Sequence, residues 1–251
     1  WTPAFFLSYA PFRDAGFSIR GFVKRSFRMP TFNDLYYAEM GNSQLRPEYT
    51  NQYDIGLAYK SRTRGGFLTD WAVQVDGYYN TVHDKIVAYP KGAQFRWTML
   101  NLGRVHIKGI DATASLTVNP VRELFITTRL QYTYQEAIDV TNSSDTYYRD
   151  QIPYIPWHSG SATVQATWRS WNLNYSFIYT GERYNQQENI VYNHTQPWYT
   201  SDISLSKEFS WSRYTARVQL EVNNLFSQDY DVILNYPMPK RNYRVTLTFE
   251  I

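Results

Sequence analysis

The side chains able to do chemistry point in two directions, catalysis and capture. For catalysis, His83, His106, His158 and His194 are scattered, none at metal-ligand spacing from another histidine, and the chain has no cysteine to serve as nucleophile or thiolate ligand. His158-Ser159 invites a hydrolase reading, but adjacent residues of a strand face opposite sides, so base and nucleophile cannot meet directly. Asp229 and Asp231 read as solvated turn residues rather than an acid/base pair. For capture, stretches between the regular segments carry Tyr36, Tyr37 and Glu39; Phe95, Arg96 and Trp97; Tyr147, Tyr148 and Arg149; Tyr184, Tyr192 and His194; Tyr230 and Tyr236. Aromatic rings give large contact area at little entropic cost and arginine pairs with anions, so this set suits a bulky, partly aromatic, anionic ligand. The plainer reading of any one of these residues is an interfacial aromatic or ordinary loop packing.

What must position them follows from composition and period. The 251 residues are 43% hydrophobic and 18% aromatic, enough to fold, yet only 19% charged. No run approaches the roughly 18 apolar residues of a membrane helix, and the start lacks the basic and apolar regions of a signal peptide. A helical membrane protein is thereby excluded. The 25 basic and 22 acidic residues are spread along the chain, with no block that would form a polyanion-binding arm, so no nucleic-acid partner is expected.

Strict two-residue alternation marks strands with chemically different faces. Tyr243, Val245, Leu247, Phe249 and Ile251 alternate with Arg244, Thr246, Thr248 and Glu250, and Tyr214, Ala216, Val218, Leu220 and Val222 alternate with Thr215, Arg217, Gln219 and Glu221. Ile203, Leu205, Phe209 and Trp211 share a face that Lys207 interrupts, a lysine able to snorkel. Ile110 to Val118, Trp71 to Tyr79 and Trp171 to Tyr179 repeat the pattern. About eleven segments of this kind are expected, near 2–10, 15–28, 49–62, 67–88, 95–118, 124–138, 157–170, 171–184, 198–210, 213–223 and 241–251. Several exceed the roughly 9–11 residues a tilted strand needs to cross a bilayer.

Connections alternate in length. Short turns at 10–15, 62–66, 119–123, 170–171 and 211–213 alternate with long links near 29–48, 89–94, 139–156, 185–197 and 224–240. That asymmetry, with Trp168, Trp171, Trp211 and Tyr214 flanking short turns, predicts an all-β, antiparallel, up-and-down transmembrane barrel whose C-terminus is periplasmic. Arg129, Gln165, Arg169, Arg217 and Glu221 are expected on the lumen side. A soluble sandwich or soluble barrel is the competing fold. No internal repeat or linker divides residues 1–251.

Phe27-Arg28-Met29-Pro30-Thr31-Phe32-Asn33-Asp34-Leu35-Tyr36, then Gly41-Asn42-Ser43-Gln44-Leu45-Arg46-Pro47-Glu48, then Tyr53-Asp54-Ile55-Gly56, resemble boxes of TonB-dependent outer-membrane receptors. So do Asn101-Leu102-Gly103 with Gly109-Ile110-Asp111, Val222-Asn223-Asn224-Leu225-Phe226 and Pro239-Lys240-Arg241-Asn242-Tyr243, in order along the chain. Lys240 stands where the family often has glycine, and Ile251 where it ends on an aromatic.

The resemblance implies the C-terminal half of a plugged barrel of about 22 strands, with the N-terminal plug and first half lying outside this chain. It implies a receptor of the Gram-negative outer membrane that binds a scarce metal chelate and imports it actively. A ferric siderophore or corrinoid stands ahead of haem, because residues 31–41 hold none of the histidines that haem receptors often place there. Implied partners are the chelate, a TonB-type energy-coupling protein acting through the plug, the remaining half of the barrel, outer-membrane lipid and lipopolysaccharide, and a surface lipoprotein. No resident cofactor and no enzymatic activity are implied. A passive porin, an adhesion barrel and an outer-membrane hydrolase are the alternatives.

Overall fold

The computed structural model describes residues 1–12, 16–62, 66–91 and 96–250; the side chains of residues 62, 89–91 and 96 lie outside that description. The chain forms β1 (Ala4–Tyr9), β2 (Phe17–Arg28), a one-turn helix α1 (Phe32–Tyr36), β3 (Glu48–Arg62), β4 (Leu68–Lys91), β5 (Arg96–Val121), β6 (Leu124–Asp139), β7 (His158–Trp168) and β8 (Trp171–Thr180). It continues through β9 (Arg183–Tyr184), β10 (His194–Thr195), β11 (Trp198–Trp211), β12 (Tyr214–Asn223), β13 (Asp231–Ile233), β14 (Tyr236–Pro237) and β15 (Asn242–Glu250). Eleven of these strands make one antiparallel sheet in the order β1 to β8, β11, β12, β15; β9 with β10 and β13 with β14 are small hairpins inside two connections. None of the described helices is long and apolar enough to cross a membrane.

Alternation becomes two unlike faces. A lateral row runs Arg20, Gly56, Asp76, Asp111, Thr133, Ser159, Thr180 across seven strands, each residue the register partner of the next. This polar face is concave: Ser8, Arg20, Asp54, Asp76, Asp111 and Thr133, from six successive strands, line one trough of about 820 Å³. Arg20 Nη2 reaches Asp76 Oδ1 at 2.6 Å from two strands away. It passes over Gly56, where a Cβ would press on both partners (2.9 Å from Arg20 Nε), so glycine is what lets the ion pair form. Arg129, Gln165, Arg217 and Glu221 share register with Ser115, Thr127, Glu208 and Ser204 on this same side.

The other face is apolar and uncovered. Ile55, Leu57, Val73, Val75, Ile110, Leu116, Leu130, Leu173, Leu205 and Leu220 are all exposed, Ile55 by 64%. So much contiguous exposed hydrocarbon is a liability in water and the expected wall in lipid. Aromatic belts bound it. Toward the short turns lie Tyr59 with Trp71 (4.8 Å) and Phe209 with Trp211 (6.0 Å). Toward the long connections Tyr53 stacks on Tyr79 (6.4 Å), Tyr79 meets His106, and Tyr132 meets His158. Lys207 lies where snorkelling requires, its ammonium 4.6 Å from the Trp171 ring centre and 4.9 Å from Phe209.

Two of the short turns are two-residue hairpins with left-handed first residues: Arg169 (φ 53°) between paired Trp168 and Trp171, and Ser212 (φ 34°) between Trp211 and Tyr214. Arg169 therefore does not face the trough as expected; its guanidinium bridges turns to Glu123 at 2.8 Å. The expected long link at 89–94 is also revised. β4 and β5, 24 and 26 residues, keep pairing from His83–Arg104 out to Lys91–Arg96, so their backbone groups stay satisfied in a hairpin that overtops the wall; residues 92–95 lie outside the described residues.

Candidate functional site

The family-like boxes, far apart in sequence, meet at the long-loop rim and act as fasteners. Thr31 caps α1, its hydroxyl accepting from the Asp34 amide at 3.1 Å while Asp34 Oδ2 accepts from the Thr31 amide at 2.9 Å and from Arg28 at 3.0 Å. Burial raises the Asp34 carboxyl, but these Thr31 and Arg28 donors outweigh it and hold the carboxyl below its usual range. Asn42 donates to the Met99 carbonyl (3.0 Å), and Glu48 accepts the Ile86 amide (2.9 Å). Asn101 accepts from the Arg46 amide (2.9 Å) and donates to the carbonyls of Arg46 (3.1 Å) and Asp84 (2.7 Å). At the far end Asn224, left-handed at φ 49° and 4% exposed, accepts from the Gln228 amide and donates to the Gln228 carbonyl, both at 2.8 Å, and its own amide donates to Asp202 at 2.7 Å.

Beside these fasteners, at the base of the β4–β5 hairpin, lies the buried apolar cluster: Val82, Leu102, Val105, Ile107, Ala137 and Ile152. Gln151 pins the 140–157 connection over it, accepting from the Ala137 amide (2.7 Å) and donating to the carbonyls of Gln135 and Ile155.

Three of the predicted residues come together here. Trp97 packs on Tyr154 (5.7 Å); the Tyr154 amide donates to the Tyr184 carbonyl (2.7 Å); Tyr184 meets Trp157 and His194 edge-on, each at 5.8 Å. His194 Nε2 lies 3.3 Å from Glu182. Beside this run, Arg183 is buried and donates to the backbone carbonyls of Gln196, Asp231 (2.8 Å) and Val232. It thereby ties the β9–β10 and β13–β14 connections together. Burial lowers the Arg183 pKa against the opposing pull of Tyr154 and Asp231, and burial raises the phenol of Tyr154. Tyr230 stacks on Trp198 (4.6 Å) beside a cleft of about 370 Å³ lined by Gln196, Tyr199, Gln228 and Asp231; burial, then the charge of Asp202, raises its phenol.

Other predicted residues stand apart. Tyr36, packed on Phe32 at 5.0 Å, and Tyr37 and Glu39 are exposed at the end of α1. Tyr148 is exposed, Arg149 occupies a left-handed turn (φ 71°) with its amide on the Asp139 carbonyl, and Tyr236 is exposed on β14. The Arg96 side chain and Phe95 lie outside the described residues. Sequence reasoning missed Tyr154, Trp157 and Trp198, aromatics that the criterion applied to their neighbours would have found, and Arg183, whose partners are carbonyls that no local pattern reveals. His158 and Ser159 part as expected: the His158 ring is 2.7 Å from the Tyr132 hydroxyl on the apolar face, and Ser159 belongs to the polar row.

The family model described as TonB dependent receptor-like, beta-barrel, matches residues 1–225. The chain is 27% identical over 227 residues to the vitamin B12 transporter BtuB of Photobacterium profundum, an alignment covering 89% of this chain and 34% of that protein. Over 88 residues it is 32% identical to the vitamin B12 transporter BtuB of Vibrio vulnificus, covering 35% of this chain and 13% of that one. Among solved structures, the unliganded ferric citrate transporter FecA superposes with a TM-score of 0.71 at 16% identity, over 99% of this chain and 38% of that one. The copper transporter OprC does so at 0.67 and 15%, over 96% and 38%. These structural likenesses speak to fold, and the chain spans about a third of the length of the first relative.

Proposed function

Since the chain belongs to the TonB-dependent receptors, a family of outer-membrane β-barrel receptors and transporters, we propose that it is the C-terminal half of the barrel of one such receptor, binding a metal chelate at the long-loop rim for active import. A corrinoid or a ferric siderophore is the ligand class, ahead of haem. The observation that carries the ligand class is the alignment to a vitamin B12 transporter over 89% of the chain. The rim suits capture of such a ligand, because its aromatics form one run from Trp97 through Tyr154 and Tyr184 to His194, with the cleft beside Trp198 and Tyr230 adjoining it. In this reading the long loops are extracellular and the C-terminus periplasmic. The trough, rich in Asp54, Asp76 and Asp111, receives the plug through which a TonB-type protein acts, and β1 and β15 continue into the other half of the barrel. Lipopolysaccharide surrounds the wall and a surface lipoprotein caps the loops.

Uptake of labelled cobalamin and a panel of labelled ferric siderophores by cells carrying only the full-length receptor tests this. One ligand should accumulate against its gradient, and an uncoupler of the proton motive force should abolish that accumulation. Uptake indifferent to the uncoupler would make the protein a passive pore, and hydrolysis of lipid or peptide by the purified receptor would make it an enzyme.

A further inference from the structure

The polar face is charged on one side and neutral on the other. From β2 to β5 it carries Arg20, Asp54, Asp76 and Asp111, which share one trough. Across β7 and β8 it carries no fixed charge: the 11 residues of β7 and the 10 of β8 include no Asp, Glu, Lys or Arg. The positions in step with Ser159 and Thr180 bear a hydroxyl or a carboxamide everywhere but at Ile178. Register sets Thr163 beside Ser176, Gln165 beside Asn174 and Thr167 beside Asn172, and β11 extends the last two rows with Ser204 and Ser206. Charge returns at the borders, with Arg129 beside Thr163 and with Glu208 paired to Arg217. Asp202, beside Ser176, is committed to the Asn224 amide at 2.7 Å. Within the strip the side chains hold one another by neutral bonds, Thr167 donating to Asn172 at 2.9 Å and Asn174 to Ser204 at 3.4 Å. From Ser159 to Thr167 it is about 26 Å long at roughly 3.3 Å per residue, the depth of an apolar band of about 25 Å. Its upper end meets the aromatic run, since Trp157 leads into β7, Tyr184 and His194 lie between β8 and β11, and Trp198 opens β11.

We propose that this strip is the surface along which the captured chelate descends once the plug moves, and that the chelate has an uncharged, amide-rich rim, which selects the corrinoid from the two ligand classes; the proposal rests on the importer reading above. A charge-assisted hydrogen bond is roughly twice as strong as a neutral one, so a charged wall would detain what it touched. Passage needs contacts favourable enough to enter and weak enough to leave. Hydroxyls and carboxamides both donate and accept, so each position matches a ligand carboxamide in whichever orientation it arrives and hands it to the next. A multiply anionic ferric chelate finds no cation between the borders of the strip. The plug, which needs a fixed anchorage, is matched instead by the charged trough, so the side of the lumen that opens is the side beneath the aromatic run.

Labelled cobalamin binding to de-energised cells and uptake by energised ones separate capture from descent in the full-length receptor. Asn174→Lys should bind as wild type does and import roughly tenfold more slowly, the step expected when a neutral contact becomes a charge-assisted one that transit must break. Ser176→Asp, of opposite sign, should do the same, and Asn174→Gln should import at the wild-type rate. Rates are taken per receptor assembled in the outer membrane, so a variant that assembles poorly is told from one that transports poorly. Wild-type uptake in both charged variants would overturn the proposal. So would cobalamin entry that an uncoupler leaves untouched in those variants, which would make the strip a seat for the plug. A wild type that accumulates a ferric siderophore and no cobalamin would overturn the corrinoid assignment made here while the importer reading stands; one that accumulates neither would overturn the importer reading itself.

Discussion

The wall and the rim bury opposite things. Between its aromatic belts the wall turns Ile55, Val75 and Leu116 outward and folds Arg20, Asp76 and Asp111 inward. Above the belts the rim encloses Val82, Leu102 and Val105, the last fully buried, as an ordinary water-soluble domain would. The difference teaches that one strand can serve two solvents. β4 presents Val75 to one medium and, seven residues later, Val82 to the interior of a loop cluster, and its ladder to β5 keeps one register from Asp70 past Asp84 to Lys91. The wall depends on what surrounds it; the rim carries its own core.

Substitutions can break this contrast or sharpen it. Leu102→Ala should cost about 2–5 kcal/mol, felt in the rim. Hydrogen exchange on the full-length receptor should show residues 137–152 losing protection while the wall between the belts keeps its own. Val75→Arg is the sharper comparison. At a half-exposed position in water it would change stability by only about 0.5 kcal/mol, whereas facing mid-bilayer hydrocarbon it should cost about 2–4 kcal/mol in a folding equilibrium with lipid vesicles. A cost near the smaller figure would erase the contrast.

Arg183→Met probes the rim without touching the apolar cluster. It removes donors from the carbonyls of Gln196, Asp231 and Val232. Leaving buried carbonyls unpaired should cost about 1–3 kcal/mol and expose residues 224–241 to limited proteolysis. Asp34→Asn should be the mildest, about 1 kcal/mol, the scale of a helix cap. The Asp34 carboxyl is held below its ordinary value of 3.8, so the folded state favours the ionised form. Its stabilisation is complete above that value and fades as pH falls through and below it. Exchange protection in residues 31–37 should therefore drop on acidification in wild type, and the variant should show no such step.

The wall was legible because period two is a local property: each apolar residue from Trp171 to Tyr179 declares its face without reference to any other strand. Lys207 was legible for the same reason, as a lone cation among aromatics. The rim was not. Gln151 is held by β6 and Ile155, and Arg183 by carbonyls as far away as Asp231 and Val232, while residues 140–157 and 181–197 have no period to read. The boxes that gave the family resemblance proved to be fasteners of the rim, Thr31 with Asp34, Asn42 with Met99, Asn101 with Arg46, Asn224 with Gln228. They report how the loops are held rather than what they hold. The loop aromatics, by contrast, were found by composition, and only their packing showed that Trp97, Tyr184 and His194 belong together while Tyr36 and Tyr236 do not.

The central claim is that the face bearing Ile55, Val75 and Ile110 lies against hydrocarbon and the face bearing Asp76 does not. Nitroxide labels placed singly at residues 71–79 of the full-length receptor in bilayers test it most directly. Odd positions should be accessible to dissolved oxygen and shielded from a water-soluble nickel reagent, and even positions should be shielded from oxygen, giving a period of two. Equal accessibility to the aqueous reagent at Val73, Val75 and Gly77 would contradict the account.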